Sequence, residues 1–244
     1  MDDALLSEQR AYYQARASEY DDWWYRRHEH DMGPELNALW DRDKAELRAA
    51  VDAFAPRGDV LELAGGTGIW TGELLRFADH VTVVDASEAT LAINRDKHGD
   101  ERVERIVADL FSFFPPRRFD VVFFSFWISH VPEERWTQFW ALVASAVAPG
   151  GRVFFLDGAR PEHGLANGPD DWRRKKLAEI AALHGGDLGS QVTPRTLRDG
   201  RTFRVVKRFW EPSVLEAELG ELGWIAQVHE TSWQFMYGEA TRAR

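Results

Sequence analysis

The chain has 244 residues, 40 acidic and 30 basic side chains, a formal net charge of −10, and no cysteine. That balance opposes a protein held on nucleic acid by overall charge, and it leaves no disulfide, thiolate metal site or catalytic thiol. A hydrophobic share of 44% and a charged share of 29% belong to a folded globular chain and exclude wholesale disorder.

The opening residues 1–6 are acidic and lack the basic-then-apolar order of a secretion signal. The most apolar run, residues 121–128, is too short to cross a bilayer. A cytoplasmic protein without a membrane partner is the expectation. Residues 1–56 read as a helical, aromatic cap: residues 7–24 hold no Gly or Pro, Gly33-Pro34 interrupts, and residues 35–54 resume with Leu36, Leu39, Trp40, Leu47 and Val51 at helical spacing.

From residue 57 the rhythm changes. Strands are predicted at 60–63, 81–85, 103–108, 119–125 and 152–157, with helices at 67–77, 88–97 and 133–147 between them. Such alternation implies an α/β fold with a mostly parallel sheet covered on both faces, and Val121-Val122-Phe123-Phe124 lacks the in-out alternation of a half-exposed strand. Residues 57–157 are expected to form the core, a cofactor-binding one if the glycine-rich turn after residue 63 holds a ligand. Residues 158–210 break the pattern with a polar helix at 170–184, a Gly185-Gly186 stretch and a hairpin signal at Asp199-Gly200, and read as a lid insert. Residues 211–244 close the chain with a helix at 213–222 and strands at 224–230 and 233–237, an antiparallel pair. The whole, 1–244, is one domain.

The informative segment is Val60-Leu61-Glu62-Leu63-Ala64-Gly65-Gly66-Thr67-Gly68: a strand runs into a glycine cluster and then a helix. Glycines there let a ligand approach backbone amides at a helix start. Asp85 ends the next strand, about 20 residues on, where an acidic side chain can grip two ribose hydroxyls. No Gly-x-x-x-x-Gly-Lys string is present, so a P-loop is excluded. A dinucleotide fingerprint started at Gly66 and Gly68 ends on Thr71 and fails. Glu62 at the strand end suits a ligand with cationic groups, such as S-adenosylmethionine with its sulfonium and ammonium.

Glu62-Leu63-Ala64-Gly65-Gly66-Thr67-Gly68 resembles the first motif of class I S-adenosylmethionine-dependent methyltransferases, Glu/Asp-x-Gly-x-Gly-x-Gly, with Ala64 in place of the first glycine. Alanine is tolerable there at negative φ. The family resemblance continues in order along residues 10–238. Asp85, with Ala86 beside it, resembles the ribose site, and Asp109-Leu110 the adenine site. Ser125 to Trp127 resemble the fourth-strand motif near the methionine part, and residues 147–155 the turn into the fifth strand. Tyr12-Tyr13-x-x-Arg16 with Tyr20-Asp21 resembles an aromatic helix that closes over the cofactor. The resemblance implies a Rossmann-like seven-stranded, mostly parallel sheet with a terminal antiparallel pair. It also implies cofactor contacts from Glu62, Ala64, Gly65, Gly66, Asp85, Ala86, Asp109, Leu110, Ser125 and Phe126.

On a continuous helix, positions 13, 16, 20 and 24 share a face while 12 and 23 look elsewhere, so Tyr13 and Tyr20 are the aromatic candidates for the sulfonium. His130, after the fourth strand, is the candidate catalytic base. His28-Glu29-His30 lacks further metal ligands and reads as a solvated loop, and Arg173-Arg174-Lys175-Lys176 as an exposed helix face. Arg160, Arg195, Arg198 and Arg201 lie in or near the lid, where one can hold a carboxylate in bidentate fashion.

The expected function is S-adenosylmethionine-dependent methylation of a small molecule, at a hydroxyl or carboxylate oxygen first, at nitrogen or carbon next, with S-adenosylhomocysteine as product. The weighed alternatives are a macromolecular methyltransferase on the same scaffold, a nicotinamide oxidoreductase, and a non-catalytic adenosylmethionine-binding protein. No metal and no nucleic-acid partner are expected. The acceptor and the oligomeric state are not legible.

Overall fold

In the computed structural model, residues 3–184 and 191–243 are described; residues 1, 2 and 244, and the Gly185-Gly186 stretch, lie outside them. Nine strands run in chain order: β1 (Gly58–Leu63), β2 (Ala78–Asp85), β3 (Val103–Val107), β4 (Phe119–Ser125), β5 (Val147–Gly158), β6 (Val192–Thr196), β7 (Thr202–Val206), β8 (Trp224–Glu230) and β9 (Phe235–Arg242). Seven form one sheet in the order β3-β2-β1-β4-β5-β9-β8. The pairs from β3 to β5 are parallel, and β9 is antiparallel to both β5 and β8. The fold class is the one the pattern implied.

Both faces of this sheet are buried, which is why its central strands carry unbroken apolar runs. Val122, Phe124 and Phe155 point to one face, packed with α6 (Trp136–Ala146) and α9 (Pro212–Glu221); Val121, Phe123 and Phe154 point to the other, against Trp40, Leu47 and Val51 of α3 (Pro34–Phe54). Pro34 opens α3 from the Gly33 cap, and Ser87 caps α5 (Glu88–His98) by accepting from the Thr90 amide at 3.1 Å.

Several expected bounds shift. The N-terminal helix is two helices, α1 (Asp3–Arg16) and α2 (Tyr20–Trp24), joined by a 3₁₀ turn, Ala17–Glu19. A 3₁₀ turn advances about 120° per residue, so a face counted at helical spacing does not continue through it. Trp24 is therefore fully buried among Trp40, Trp70 and Phe235, and Trp23 faces the cleft instead. The helix expected at 67–77 shrinks to α4 (Thr71–Leu74), because the glycine loop uses the residues before it. A 3₁₀ turn, Glu133–Arg135, precedes α6; β5 begins at Val147, and β9 extends from Phe235 to Arg242.

The insert contains α7 (Pro161–Asn167), α8 (Asp170–His184) and the β6-β7 hairpin, whose turn holds Asp199-Gly200. The hairpin packs on α1: Tyr12, Leu197 and Val205 form a small core with Tyr13 and Phe203 against it. No described helix is long and apolar enough to cross a membrane.

Candidate functional site: two cavities sharing a wall

β1 is the switch point of the sheet. β2 and β3 lie on one side of it and β4 and β5 on the other, so the connections diverge and leave a crevice beyond the carboxyl ends of the strands. A cavity of about 970 Å³ occupies that crevice. Its floor is Ala64, Gly65 and Gly66 after β1, Asp85 and Ala86 after β2, Asp109 and Leu110 after β3, and Ser125 and Phe126 after β4. Tyr13, Tyr20 and His130 complete it from above. Eleven of these were anticipated for the cofactor and His130 for catalysis; the structure brings all twelve to one cavity.

Glu62 is the exception. It is fully buried beneath the loop, and its Oε2 accepts the Thr71 hydroxyl at 2.5 Å. Burial, reinforced by Asp85 and opposed by that hydrogen bond, pushes its carboxyl up to about 8. Glu62 is thus a support under the glycine loop, not a wall residue facing a ligand's cation. A Cβ on Gly65 would sit 2.4 Å from Val83 Cγ1 and 3.1 Å from Glu62 Cδ, so only glycine fits between them.

Ala64 corrects another expectation: its φ is +54°, not negative, the left-handed region in which an L side chain is strained. Gly66 also has positive φ, +53°, and the space where its side chain would stand is open, with the Ala64 carbonyl nearest at 4.0 Å. Its amide donates to Asp85 Oδ2 at 2.9 Å, while the Ser87 amide donates to Oδ1 at 2.8 Å. Burial raises the Asp85 carboxyl, and these amides pull it back down.

Asp109 is also engaged. Its Oδ1 accepts the Phe111 amide at 3.0 Å, and its Oδ2 accepts from Arg10 of α1 at 2.7 Å. Lys97 of α5 pairs with Asp21 of α2 at 2.5 Å, and the Thr67 hydroxyl donates to the same carboxylate. Arg10 and Asp21 therefore tie both N-terminal helices down over the cavity.

His130 stands where this cavity meets a second, larger one of about 2140 Å³; Tyr13, Tyr20 and Phe126 line both as well. The imidazole is neither exposed nor free. Nδ1 lies 2.6 Å from the Val206 carbonyl, to which it must donate, so Nε2 accepts the Tyr13 hydroxyl at 2.8 Å. Burial, then the Lys207 charge, pushes His130 down to about 3. Burial also raises Tyr13 well above a phenol's ordinary value. Burial keeps both groups neutral, and each is hydrogen-bonded to the other.

The second cavity is basic in an acidic protein. Seven of its described lining residues are Arg or Lys and three are Glu. The four lid arginines separate. Arg198 pairs with Asp22 and Glu29, and Arg201 with its neighbour Asp199. Arg160 meets Glu211 and, more distantly, Glu230. Arg195 lines the cavity with no carboxylate in ion-pair range among the described residues. His28–His30, expected as a solvated loop, is a 3₁₀ turn whose Glu29 is held by Arg198.

Three comparisons bear on this architecture. Residues 60–151 match a methyltransferase domain family. Over 99% of each chain, the fold is similar to DhpI in a complex with SAM and HEP, with 38% identity and a TM-score of 0.75. The chain belongs to the class I S-adenosylmethionine-dependent methyltransferases. It is also 32% identical over 160 residues to a demethylmenaquinone methyltransferase of Clavibacter sepedonicus, a match covering 60% of this chain and 64% of that protein, less than two thirds of its length. A ubiquinone biosynthesis O-methyltransferase of Pseudomonas aeruginosa is 28% identical over 82% of this chain and 77% of its own.

The cavity under the N-terminal helices fits the methyltransferase cofactor: Gly66 leaves a cradle that a side chain would fill, and Asp85 presents a carboxylate fixed by two amides. Other wall residues of this methyltransferase had not been singled out by role. Arg16, Arg26, Trp23 and Lys207 all line the second cavity. Arg16 lay within the aromatic motif without an assigned part. Lys207 follows a buried strand end, Val205-Val206, which is a signal for a lysine at a cavity wall. Arg26 had no such signal, because its place depends on the turn after α2. Gln9 was missed as well: buried on α1, it donates to the His130 carbonyl and accepts the Val206 amide, fixing the strand that holds the imidazole.

Proposed function

We propose that this methyltransferase acts on the oxygen of a small acid, with the acceptor in the basic cavity and the cofactor in the cavity beneath the N-terminal helices. The observation that carries the reading is the shared wall of Tyr13, Tyr20, Phe126 and His130 between the cleft at the strand ends and a cavity rich in arginine and lysine. Asp85 would hold the ribose hydroxyls, Asp109 and the Leu110 amide the adenine, and Tyr13 and Tyr20 would face the sulfonium, with Ala86, Ser125 and Phe126 shaping the walls.

The cofactor, when bound, supplies an electrophilic methyl: a carboxylate oxygen forms the new O–CH3 bond while the methyl–sulfur bond breaks and its electron pair stays on sulfur. A carboxylate needs no base and releases no proton, which suits a site whose histidine is occupied at both nitrogens. A hydroxyl acceptor would require His130 to abandon Tyr13. What this chain contributes is alignment of the acceptor and exclusion of water. Lys207 takes part in that alignment. It donates to Ser129 Oγ at 2.7 Å and pairs with Asp157 at 3.2 Å, at the carboxyl end of β5. The Lys207 charge keeps Asp157 ionised against its own burial.

The purified protein, incubated with S-adenosylmethionine and a panel of small carboxylic acids and phenols, tests this reading. Methyl esters, labile to alkali, are the expected products; stable phenol ethers with no ester would overturn it.

A further inference from the structure

The second cavity has two positive poles, and the acidic acceptor proposed above meets only one of them at the shared wall. The first pole is Lys207 with Arg195, near Tyr13 and His130. The second is Arg26, near His30. Their surroundings differ: Arg26 lies over Trp40 and near Trp23, whereas Lys207 is paired with Asp157 and bonded to Ser129, which leaves Arg195 as the uncompensated charge of the first pole among the described residues.

Arg26 is an unusual cation. Its guanidinium lies over the Trp40 ring at 3.3 Å and near Trp23 at 5.8 Å. Its Nε is buried without a hydrogen-bond partner, and no carboxylate lies within ion-pair range among the described residues. The backbone carries it at φ +53°, in the left-handed region. Burial draws it down to about 9, with only Asp41 opposing. Stacking on an aromatic face compensates part of the desolvation but satisfies none of the N–H donors. Of the three glutamates on the cavity wall, Glu29 is taken by Arg198, Glu179 by Lys176, and Glu19 accepts the Arg198 amide. A buried donor left unpaired is costly, so among the described residues nothing supplies the anion that Arg26 lacks.

We infer that the acceptor carries two acidic groups, one placed at the shared wall by Arg195 and Lys207 and the other anchored by the stacked Arg26. This rests on the acid-acceptor reading and narrows it to diacids. Arg26 acts as a specificity residue. A monoacid fills one pole and leaves Arg26 as it is; a diacid relieves it. Aromatic walls from Trp23, Trp40 and Phe126 suit a flat or aliphatic spacer between the two groups.

The test is calorimetric titration of the full chain, saturated with S-adenosylhomocysteine, with the diacids glutarate and isophthalate and the matched monoacids butyrate and benzoate. Each diacid is expected to bind about tenfold or more tightly than its monoacid. Arg26→Met should abolish that preference and Arg26→Lys retain part of it, with S-adenosylhomocysteine affinity unchanged in both. Equal affinities for diacid and monoacid in the wild type overturn the inference while leaving the acid reading intact. Binding by none of the four probes overturns both. A preference that survives Arg26→Met assigns the second group elsewhere and also overturns it.

Discussion

Tyr13 donates its hydroxyl hydrogen to His130 Nε2 across 2.8 Å, and this bond joins the N-terminal cap to the loop after β4 at the boundary of the two cavities. On this geometry we read the histidine as a positioning residue. The imidazole orients a tyrosine, and Gln9 and Val206 orient the imidazole.

Loss of a general base costs about 10² to 10⁴ in rate. If His130 positions Tyr13 instead, His130→Asn should lower kcat by about tenfold or less, and Tyr13→Phe by a similar factor. With His130 pushed down to about 3, kcat should show no histidine limb between about pH 6 and 8. Stopped assays across pH, with wild type and both variants, check this. A limb near pH 6.5 that disappears in His130→Asn would restore the base.

Glu62 makes stability depend on pH. Its ordinary value is 4.5 and its folded value about 8, so between the two the folded chain holds a proton that the unfolded chain releases. The folded state then binds more protons, and stability falls as pH rises through that window, with a slope from this group approaching about 1.4 kcal/mol per pH unit. Glu62→Gln keeps an acceptor for Thr71 and removes the slope. Urea midpoints of both proteins at about pH 5 and pH 8 should therefore diverge; parallel curves would show that Glu62 is already ionised.

Ala64 holds a left-handed backbone conformation, which costs an L residue about 1 kcal/mol. Ala64→Gly relieves that strain at the expense of a more flexible unfolded chain, which offsets about half of it. A small rise in Tm, about 1–3 °C, with cofactor affinity kept or improved, is the expected result of differential scanning calorimetry. A fall in Tm would mean that the Ala64 methyl packs usefully against the cavity wall.

The Arg10–Asp109 pair has side chains 42% and 32% exposed, so it adds little to global stability, about 0–1 kcal/mol. Its effect should appear in cofactor exchange. Arg10→Ala is expected to leave the urea midpoint almost unchanged and to speed dissociation of S-adenosylhomocysteine by about two- to tenfold. In the wild type, added salt should do the same by screening this pair and Lys97–Asp21. Stopped-flow displacement measures both; salt-independent release would show that the cap is held by packing alone.

Much of this was legible from local pattern. Buried parallel strands advertise themselves as apolar runs, and Val121 to Phe124 was such a run. The positions of Gly65, Gly66, Asp85 and Asp109 follow from strand ends, which are local features. What was not legible depends on distant partners or on small departures from ideal geometry. A single 3₁₀ turn at residues 17–19 exchanged the roles of Trp23 and Trp24. The four lid arginines look alike in sequence, yet Arg198 is neutralised by Asp22 and Glu29, far away in the chain, while Arg195 meets no carboxylate among the described residues. Glu62 belongs to the motif, but whether it faces ligand or loop is decided by Thr71 and Val83 packing around it.

The first helix, which roofs the cofactor cleft, is fastened by residues far away in the chain. Glu8 pairs with Arg204 at 2.9 Å, and Gln9 accepts the Val206 amide at 2.9 Å, each across nearly 200 residues. Such distant pairings form late, after the loop they close has been ordered. During synthesis the first helix must wait for the hairpin at residues 192–206 to leave the ribosome. A ribosome-bound chain halted before that hairpin would hold the glycine loop and β1 to β5 without the pairings that fasten the first helix over them.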